Sequence, residues 1–434
     1  MVLFNDAMEQ RLLGEYDLHL DHSGVQGKRL ASRLREIAQV GFTAEMGSCR
    51  LGYSDEEKQA KDLVKQWMRD SGLEVRQDDA GNVIGRLAGK QDNLPAILSG
   101  SHVDSVPNGG HFDGVLGVLT ALEVVEAWKE TNYQPSRPVE VVIFSDEEGS
   151  RFNAGLTGSK AMMGDVGLSD LKSLIDHEGV PFEEVVRKNG LSANSFMDAA
   201  RDTKEIAAFV EVHIEQGKQL EKNNEPVGIV TGITGLNGLE FSFKGKAGHA
   251  GNTPMDDRQD AMVAASEFIL NVSFLPKKVS STAVATVGRL HVFPNGTNVI
   301  PGEVKLSVDI RDIHRETLDE LVKLIIDEAK RISTVHKVDA VWEETSLADP
   351  VLVQDFMQVL QADSLKENQI HPIYIPSGAG HDAMIVGRHV PIAMFFIRSK
   401  DGISHNPVEW TSLNDCVTGV HVLKKFLEKL QHSI

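Results

Sequence analysis

The sequence predicts an α/β protein in which a mostly parallel sheet, covered by helices on both faces, is interrupted by an inserted α+β domain. Three observations carry that expectation. At 434 residues the chain is too long for one ordinary core, so two domains are expected. Apolar strand-like runs alternate with helical patterns through the first half, and one more run of the same kind returns only near the C-terminus. Between them the pattern changes to half-exposed strands and amphipathic helices.

The elements of the first domain follow in order. "SDEEKQAKDLVKQWMRDSG" reads as a helix with Ser54 at the N-cap, Glu57 as its capping-box partner and Gly72 as the stop. "PAILSGSH" is a buried strand that runs into the loop "VDSVPNGGHFDG", and "VLGVLTALEVVEAW", Val115 to Trp128, follows with apolar residues at helical spacing. "RPVEVVIFSDEEG" and "AAFVEVHIEQG" are two further strands that end in polar residues, and "PIAMFFIRSKDGISHNP" is the fourth. In open α/β sheets, that end of a strand is where ligands bind.

The middle of the chain reads differently. "GLEFSFKGKAGHAG" alternates like a half-exposed strand, and "TPMDDRQDAMVAASEFILNV" places Ala261, Ala264, Ala265, Phe268 and Val272 on one helical face. Thr253 and Pro254 are the expected N-cap and first-turn pair of that helix. "TAVATVGRLHVFP" and "NVIPGEVKLSVDIRD" read as two strands, "RETLDELVKLIIDEAKRI" as a second amphipathic helix, and "KVDAVWEET" as a last strand. This β-α-β-β-α-β order is the ferredoxin-like arrangement. The expected boundaries are 230–345 for the insertion, with 1–229 and 346–434 forming the first domain.

Bulk properties exclude several function classes. With a formal net charge of −19 and no long basic run, nucleic acid and anionic membrane are not expected partners. No stretch approaches the roughly 18 apolar residues of a membrane span. "MVLFNDAMEQRLLGEYDLHLDH" lacks the basic n-region and uninterrupted apolar run of a secretory leader. Cys49 and Cys416 stand in no CxxC motif, so ordinary packing and a cytoplasmic location are expected.

Chemistry gathers at the four strand ends: His102, Asp104 and Asp113, then Glu147 and Glu148, then His213, then His405. Singly, such residues are solvated polar groups; all fall just past apolar strands of one expected sheet. Imidazoles mixed with carboxylates suit zinc, manganese, cobalt or nickel. The set is larger than one catalytic zinc takes from protein, so two ions sharing a carboxylate fit better. Glu147 and Glu148 are neighbours on an extended segment and point opposite ways. One can ligate while the other faces a metal-bound water and takes its proton. Asp104, two residues past His102, is placed to orient that imidazole. His111, in the Gly-rich turn, is expected in solvent.

The motifs "GSHVDSVPNGGHFDGVLGVL", "FSDEEGSRF", "GSKAM", "HIEQG", "GKAGHAGNTPMDDRQDA", "NVIPGEVKLSVDIRD", "SGAGHDAM" and "GISHNPVEW" resemble, in order and over almost the whole chain, the hydantoinase/carbamoylase branch of the M20 di-metal amidohydrolases. That branch includes N-carbamoyl-L-amino acid hydrolase, allantoate amidohydrolase and β-ureidopropionase. The resemblance implies that His102 and His213 hold one divalent ion, Glu148 and His405 the other, and that Asp113 bridges them. It makes Glu147 the general base and Asp104 the partner of His102. His213, where peptidase and aminoacylase relatives usually carry an aspartate, points to the ureido-cleaving branch.

In the insertion, the resemblance implies that His249 reaches the site of a homodimer partner and stabilises an oxyanion. Asn298 and Arg311 are a sensible clamp for a substrate carboxylate, the alternative for Arg311 being an ion pair with Asp312. Gln216, Ser377 and Gly378 resemble further substrate contacts. His381 is either a group supporting the site or a helix-start residue. The expected function is metal-dependent cleavage of a small ureido substrate bearing a carboxylate, with Zn²⁺ or Mn²⁺ as the ions and Co²⁺ or Ni²⁺ as substitutes. "MFFIRSKDGISHNPVEW" and "LHVFPNGTNVIP" lean toward the N-carbamoyl-L-amino acid hydrolases over the allantoate enzymes. Other readings are a dipeptidase or aminoacylase, or a binding module without turnover, against which Glu147 weighs.

Overall fold

The computed structural model describes residues 2–434, with side chains from residue 7 onward. Met1 and the side chains of residues 2–6, where the reading of the N-terminal stretch begins, lie outside the described residues. The chain divides into two compact units: Met1–Thr231, Val353–Ile375 and His381–Ile434 form the first, and Gly232–Leu352 with Pro376–Gly380 the second.

In the first unit, the four strands expected from the sequence stand side by side and parallel, in the order Val139–Phe144, Ala96–His102, Ile206–Ile214 and Ile392–Ile397. Nearly every residue in them is buried, as parallel strands covered on both faces must be. The register sets His102 opposite Phe144 and His213 opposite Phe396, so the strand ends finish level with one another.

Outside these four the sheet turns antiparallel. Glu74–Gln77 and Val83–Leu87 extend one side, and Val227–Ile233 pairs antiparallel with Ile392–Ile397 on the other. Glu74–Gln77 has only four residues, none of them buried, so it leaves no hydrophobic period to read.

The helix Val115–Glu130 is buried along most of its length. Its Gly117 lets it approach the sheet, because a Cβ there would lie 2.2 Å from the carbonyl oxygen of Val212. The helix Asp55–Asp70 starts at Ser54, whose hydroxyl accepts the Glu57 N–H at 3.1 Å. The Glu57 carboxylate reaches one residue further back than a capping box, to the N–H of Tyr53 at 2.6 Å. No helix among the described residues is long and apolar enough to cross a membrane.

The second unit holds an antiparallel sheet in the order Asp339–Ala348, Gly235–Lys244, Glu303–Asp312, Val284–Phe293. Helices Ala261–Val272 and Arg315–His336 pack their apolar stripes onto it around Phe241, Phe243, Phe268, Leu306, Leu321 and Ile325. Burying each such side chain contributes roughly 1.5–3 kcal/mol. Along Glu303–Asp312 burial alternates, so Lys305, Asp309 and Arg311 leave the face opposite the core. The first helix begins later than Thr253–Pro254: it starts at Ala261, where the Asp260 carboxylate accepts the N–H groups of Met262 and Val263. Pro254 instead precedes a short turn of 3₁₀ helix, Met255–Asp257.

Candidate metal centre

The expected ligands of the first unit come together at the ends of its parallel strands. Two groups of potential donors form, His102 with Asp113 and His213, and Asp113 with Glu148 and His405, each with its ligand atoms within 4.8 Å of one another. Asp113 belongs to both. Its Oδ1 lies 3.1 Å from His213 Nε2 and 3.5 Å from His102 Nε2, while Oδ2 lies 3.6 Å from His405 Nε2. Glu148 Oε2 is 3.3 Å from His405 Nε2.

Local backbone chemistry fixes this arrangement. Gly114 has φ of 64°, and a Cβ there would sit 2.4 Å from the His102 ring, so the helix can start against the imidazole only from a glycine. The Nδ1 atoms of His102 and His213 lie 3.1 and 2.9 Å from the carbonyl oxygens of Asp104 and Ile214. With Nδ1–H donated to a carbonyl, each neutral ring turns an Nε2 lone pair toward Asp113, the tautomer a metal requires.

Glu147 stands beside both groups and within neither, its Oε2 at 3.6 Å from His102 Nε2. The segment carrying it is held from both sides. Asp104 accepts the N–H groups of Glu147 and Glu148 at 3.2 and 3.1 Å, besides lying 3.4 Å from His102 Nδ1. On the other side, Gly158, Thr157 and Leu156 donate to the carbonyls of Ser145, Asp146 and Glu147. Asp146 has φ of 51°, uncommon for a side chain with a Cβ, and its carboxylate accepts from the Thr157 hydroxyl at 2.7 Å. The loop between pinches shut where a Cβ on Gly149 would lie 2.4 Å from the Gly155 nitrogen.

The electrostatics call for cations. Burial pushes Glu147 well above the usual carboxylate range, with His102 opposing. Burial and then Asp113 push Glu148 up to about 8. Glu148 Oε1 is buried with no hydrogen-bond partner. Burial would also raise Asp113, yet His213 and His102 hold it well below its ordinary value; His213 is in turn raised to about 9, Asp113 overcoming the effect of burial. A buried guanidinium, Arg50, directs its donors to the carbonyls of Val103 and Val40. Crowded carboxylates, an orphaned carboxylate oxygen and imidazoles whose Nε2 atoms face Asp113 form a donor set that fits divalent ions.

Two supporting residues escape sequence reasoning. Glu409, buried and raised by burial and by Asp113 to about 7, accepts the N–H groups of Phe112 and Asp113 at 2.8 and 3.1 Å. The Ser404 hydroxyl lies 2.6 Å from Asp113 Oδ2 and 2.9 Å from Glu409 Oε2, so its one proton links the two carboxylates. Gln216 is placed here as well, donating to Asp113 Oδ2 at 2.8 Å. The only signal for Glu409 is its place in "HNPVEW", and nothing local marks it as a partner of Asp113.

His111 corrects an expectation: it is buried rather than solvated. Its ring nitrogens meet the Ser48 hydroxyl at 2.8 Å and the Met46 carbonyl at 3.0 Å, so the turn gains two long-range anchors. His381 is the N-cap residue of Asp382–Val386, and its buried ring lies 4.5 Å from that of His213.

The remaining expected residues lie in the second unit. His249 is exposed, and its Nδ1 accepts the N–H groups of Gly251 and Asn252 at 3.1 and 3.2 Å. The neutral ring therefore carries its proton on Nε2 and is a ready donor. Asn298 is brought next to it, its carbonyl accepting the Ala250 N–H at 3.0 Å while Val299 pairs with His249. Arg311 pairs with Asp309 instead of Asp312, whose carboxylate is taken by Ser280, Thr282 and Thr317. Ser377 is buried in its own turn and Gly378 is exposed, with its carbonyl on Arg311.

Comparison with known proteins agrees with this chemistry. Residues 98–429 match peptidase family M20/M25/M40. The N-carbamoyl-L-amino acid amidohydrolase of Geobacillus stearothermophilus is 43% identical over 92% of this chain and 97% of its own. The allantoate amidohydrolase of Bacillus subtilis (strain 168) is 37% identical, covering 91% of this chain and 96% of its own. The crystal structure of a hydantoinase/carbamoylase family amidase from Burkholderia multivorans superposes with a TM-score of 0.88 at 34% identity, covering 94% of this chain and 98% of that one.

Proposed function

The chain belongs to peptidase family M20/M25/M40 and is a hydrolase of amide C–N bonds, and from that premise we propose that it cleaves the ureido group of an N-carbamoyl-L-amino acid. The observation that carries the reading is Glu147, a half-buried carboxylate beside two donor groups that share Asp113 but part of neither. His102 and His213 would hold one divalent ion and Glu148 and His405 the other, with Asp113 common to both and zinc or manganese the best match. Bound ions would polarise the ureido carbonyl and acidify water.

The residues do the rest. Glu147 takes a proton from the water that adds to the carbonyl carbon, and returns it to the nitrogen that leaves. Nε2–H of His249, supplied by a second copy in a homodimer, donates to the developing oxyanion. Arg311 and Asn298 take the substrate carboxylate. When one C–N bond breaks, the carbamate left behind loses carbon dioxide, so the products are ammonia, carbon dioxide and an amino acid.

Allantoate is the second reading, supported by the allantoate amidohydrolase of Bacillus subtilis among the relatives. A panel of N-carbamoyl-L-amino acids, allantoate and dipeptides, assayed for ammonia after metal reconstitution, tests both. Ammonia released fastest from an N-carbamoyl amino acid is the expected result. Faster turnover of allantoate would move the assignment to the second reading, and release of amino acid from dipeptides without ammonia would overturn both.

A further inference from the structure

Arg311 and Asp309 stand two residues apart on the strand Glu303–Asp312, so both side chains leave the same face of the sheet. Nε of Arg311 donates to Asp309 Oδ1 at 2.8 Å, Nη2 donates to Oδ2 at 2.9 Å, and Nη1 donates to the Gly378 carbonyl at 2.7 Å. Across the sheet, Asp309 faces Gly238 and Thr286, and Arg311 faces Leu236 and Val284, so no charge on a paired position competes for either. A guanidinium carries five N–H donors. With three engaged, one N–H remains on each terminal nitrogen for a second carboxylate to accept.

We infer that Asp309 is a positioning residue for substrate recognition: by holding one edge of the Arg311 fork, with Gly378 as a stop, it leaves two N–H groups for the carboxylate of the substrate. The inference rests on the reading of Arg311 as the carboxylate clamp and deepens it. Asp309 is not a rival of the substrate, because its two oxygens occupy Nε and Nη2 through bonds that a ligand on the remaining donors need not break. Nor is its purpose stability, since a half-exposed pair of this kind contributes little to folding.

The test compares wild type with Asp309→Asn on an N-carbamoyl amino acid and on the same compound with its carboxylate amidated. Asparagine keeps one acceptor but loses the charge and the bidentate grip. The expected result is a KM raised about ten-fold for the acid, kcat within about two-fold, and no change for the amide. Melting curves are expected to coincide, and Asp309→Ala is expected to repeat the KM shift. A KM for the acid that stays put or falls, or one that rises equally for acid and amide, overturns the role of Asp309. If wild type itself fails to distinguish acid from amide, the clamp reading falls and the inference falls with it. Loss in the variant without such failure in wild type isolates Asp309.

Discussion

The two units present polar chemistry in opposite ways. In the first, His102, Asp113 and His213 are buried, Glu147 and Glu148 half-buried and only His405 exposed, and carboxylates distant in sequence, Glu409 and Asp104, hold the backbone that carries them. In the second, His249 and Asn298 are exposed and Arg311 half-buried, each held by neighbours in its own turn, in a facing loop or on its own strand. Buried charges are costly unless paired, so the first arrangement stores repulsion that a cation relieves. The exposed groups store none. Metal chemistry is therefore expected to depend on the whole sheet, and substrate recognition on local contacts.

The sharpest break of that contrast is within the first unit. Asp113→Ala is expected to deplete bound metal and abolish turnover, because both donor groups lose their shared member. Glu147→Gln is expected to keep the metals and lose roughly 10²–10⁴-fold in turnover. Metal analysis beside rate measurement separates the two; a Gln variant at wild-type rate would remove Glu147 from its role.

In the second unit, His249→Ala is expected to cost roughly 10²–10³-fold, the scale of one oxyanion donor. If the histidine serves a partner's site, mixing this protein with Glu147→Gln and allowing subunit exchange restores activity toward half of wild type in the heterodimer. Exchange confirmed by mass with no recovered activity would tie His249 to its own subunit.

Smaller effects sharpen the comparison. Glu409→Gln loosens the grip on the Asp113 backbone and is expected to weaken metal affinity by roughly 10–100-fold, read by chelator competition. An unchanged affinity would make Glu409 a packing residue only. Arg311→Lys is expected to raise KM about ten-fold with metal content untouched, since a lysine lacks the fork. Any loss of metal from that variant would show that the two units do not divide the work as drawn.

What the sequence revealed follows the same division. The four parallel strands were legible because each is an apolar run ending in polar residues, and their ends supplied His102, Glu147, Glu148, His213 and His405. The alternation in the second unit was equally plain. Illegible were the distant hydrogen bonds: Glu409 meets Asp113 from 296 positions away, and Asp104, expected only as the partner of His102, also meets Glu147 from 43. No spacing rule reaches that far. His111 misled because a glycine-rich turn suggests exposure, while Ser48 and Met46 anchor it from elsewhere. Asp260 displaced Thr253 as the helix cap because the side chain that reaches two free N–H groups fixes the start.

The hydrogen bond from the Leu156 N–H to the Glu147 carbonyl, at 2.9 Å, has a consequence for redesign. Together with the approach of Gly149 to Gly155, it seals off the lobe between them, whose tip carries the exposed Asn153. Closing a longer loop costs little, about 0.6 kcal/mol per doubling of length. The lobe is anchored on its own account, Phe152 lying buried against Phe182 and Arg151 donating to the carbonyls of Gly52 and Tyr53, so an insertion is tolerated only on the far side of Asn153 from these two. That makes the outer side of this lobe a mounting point for labels a few residues from Glu147 in the chain.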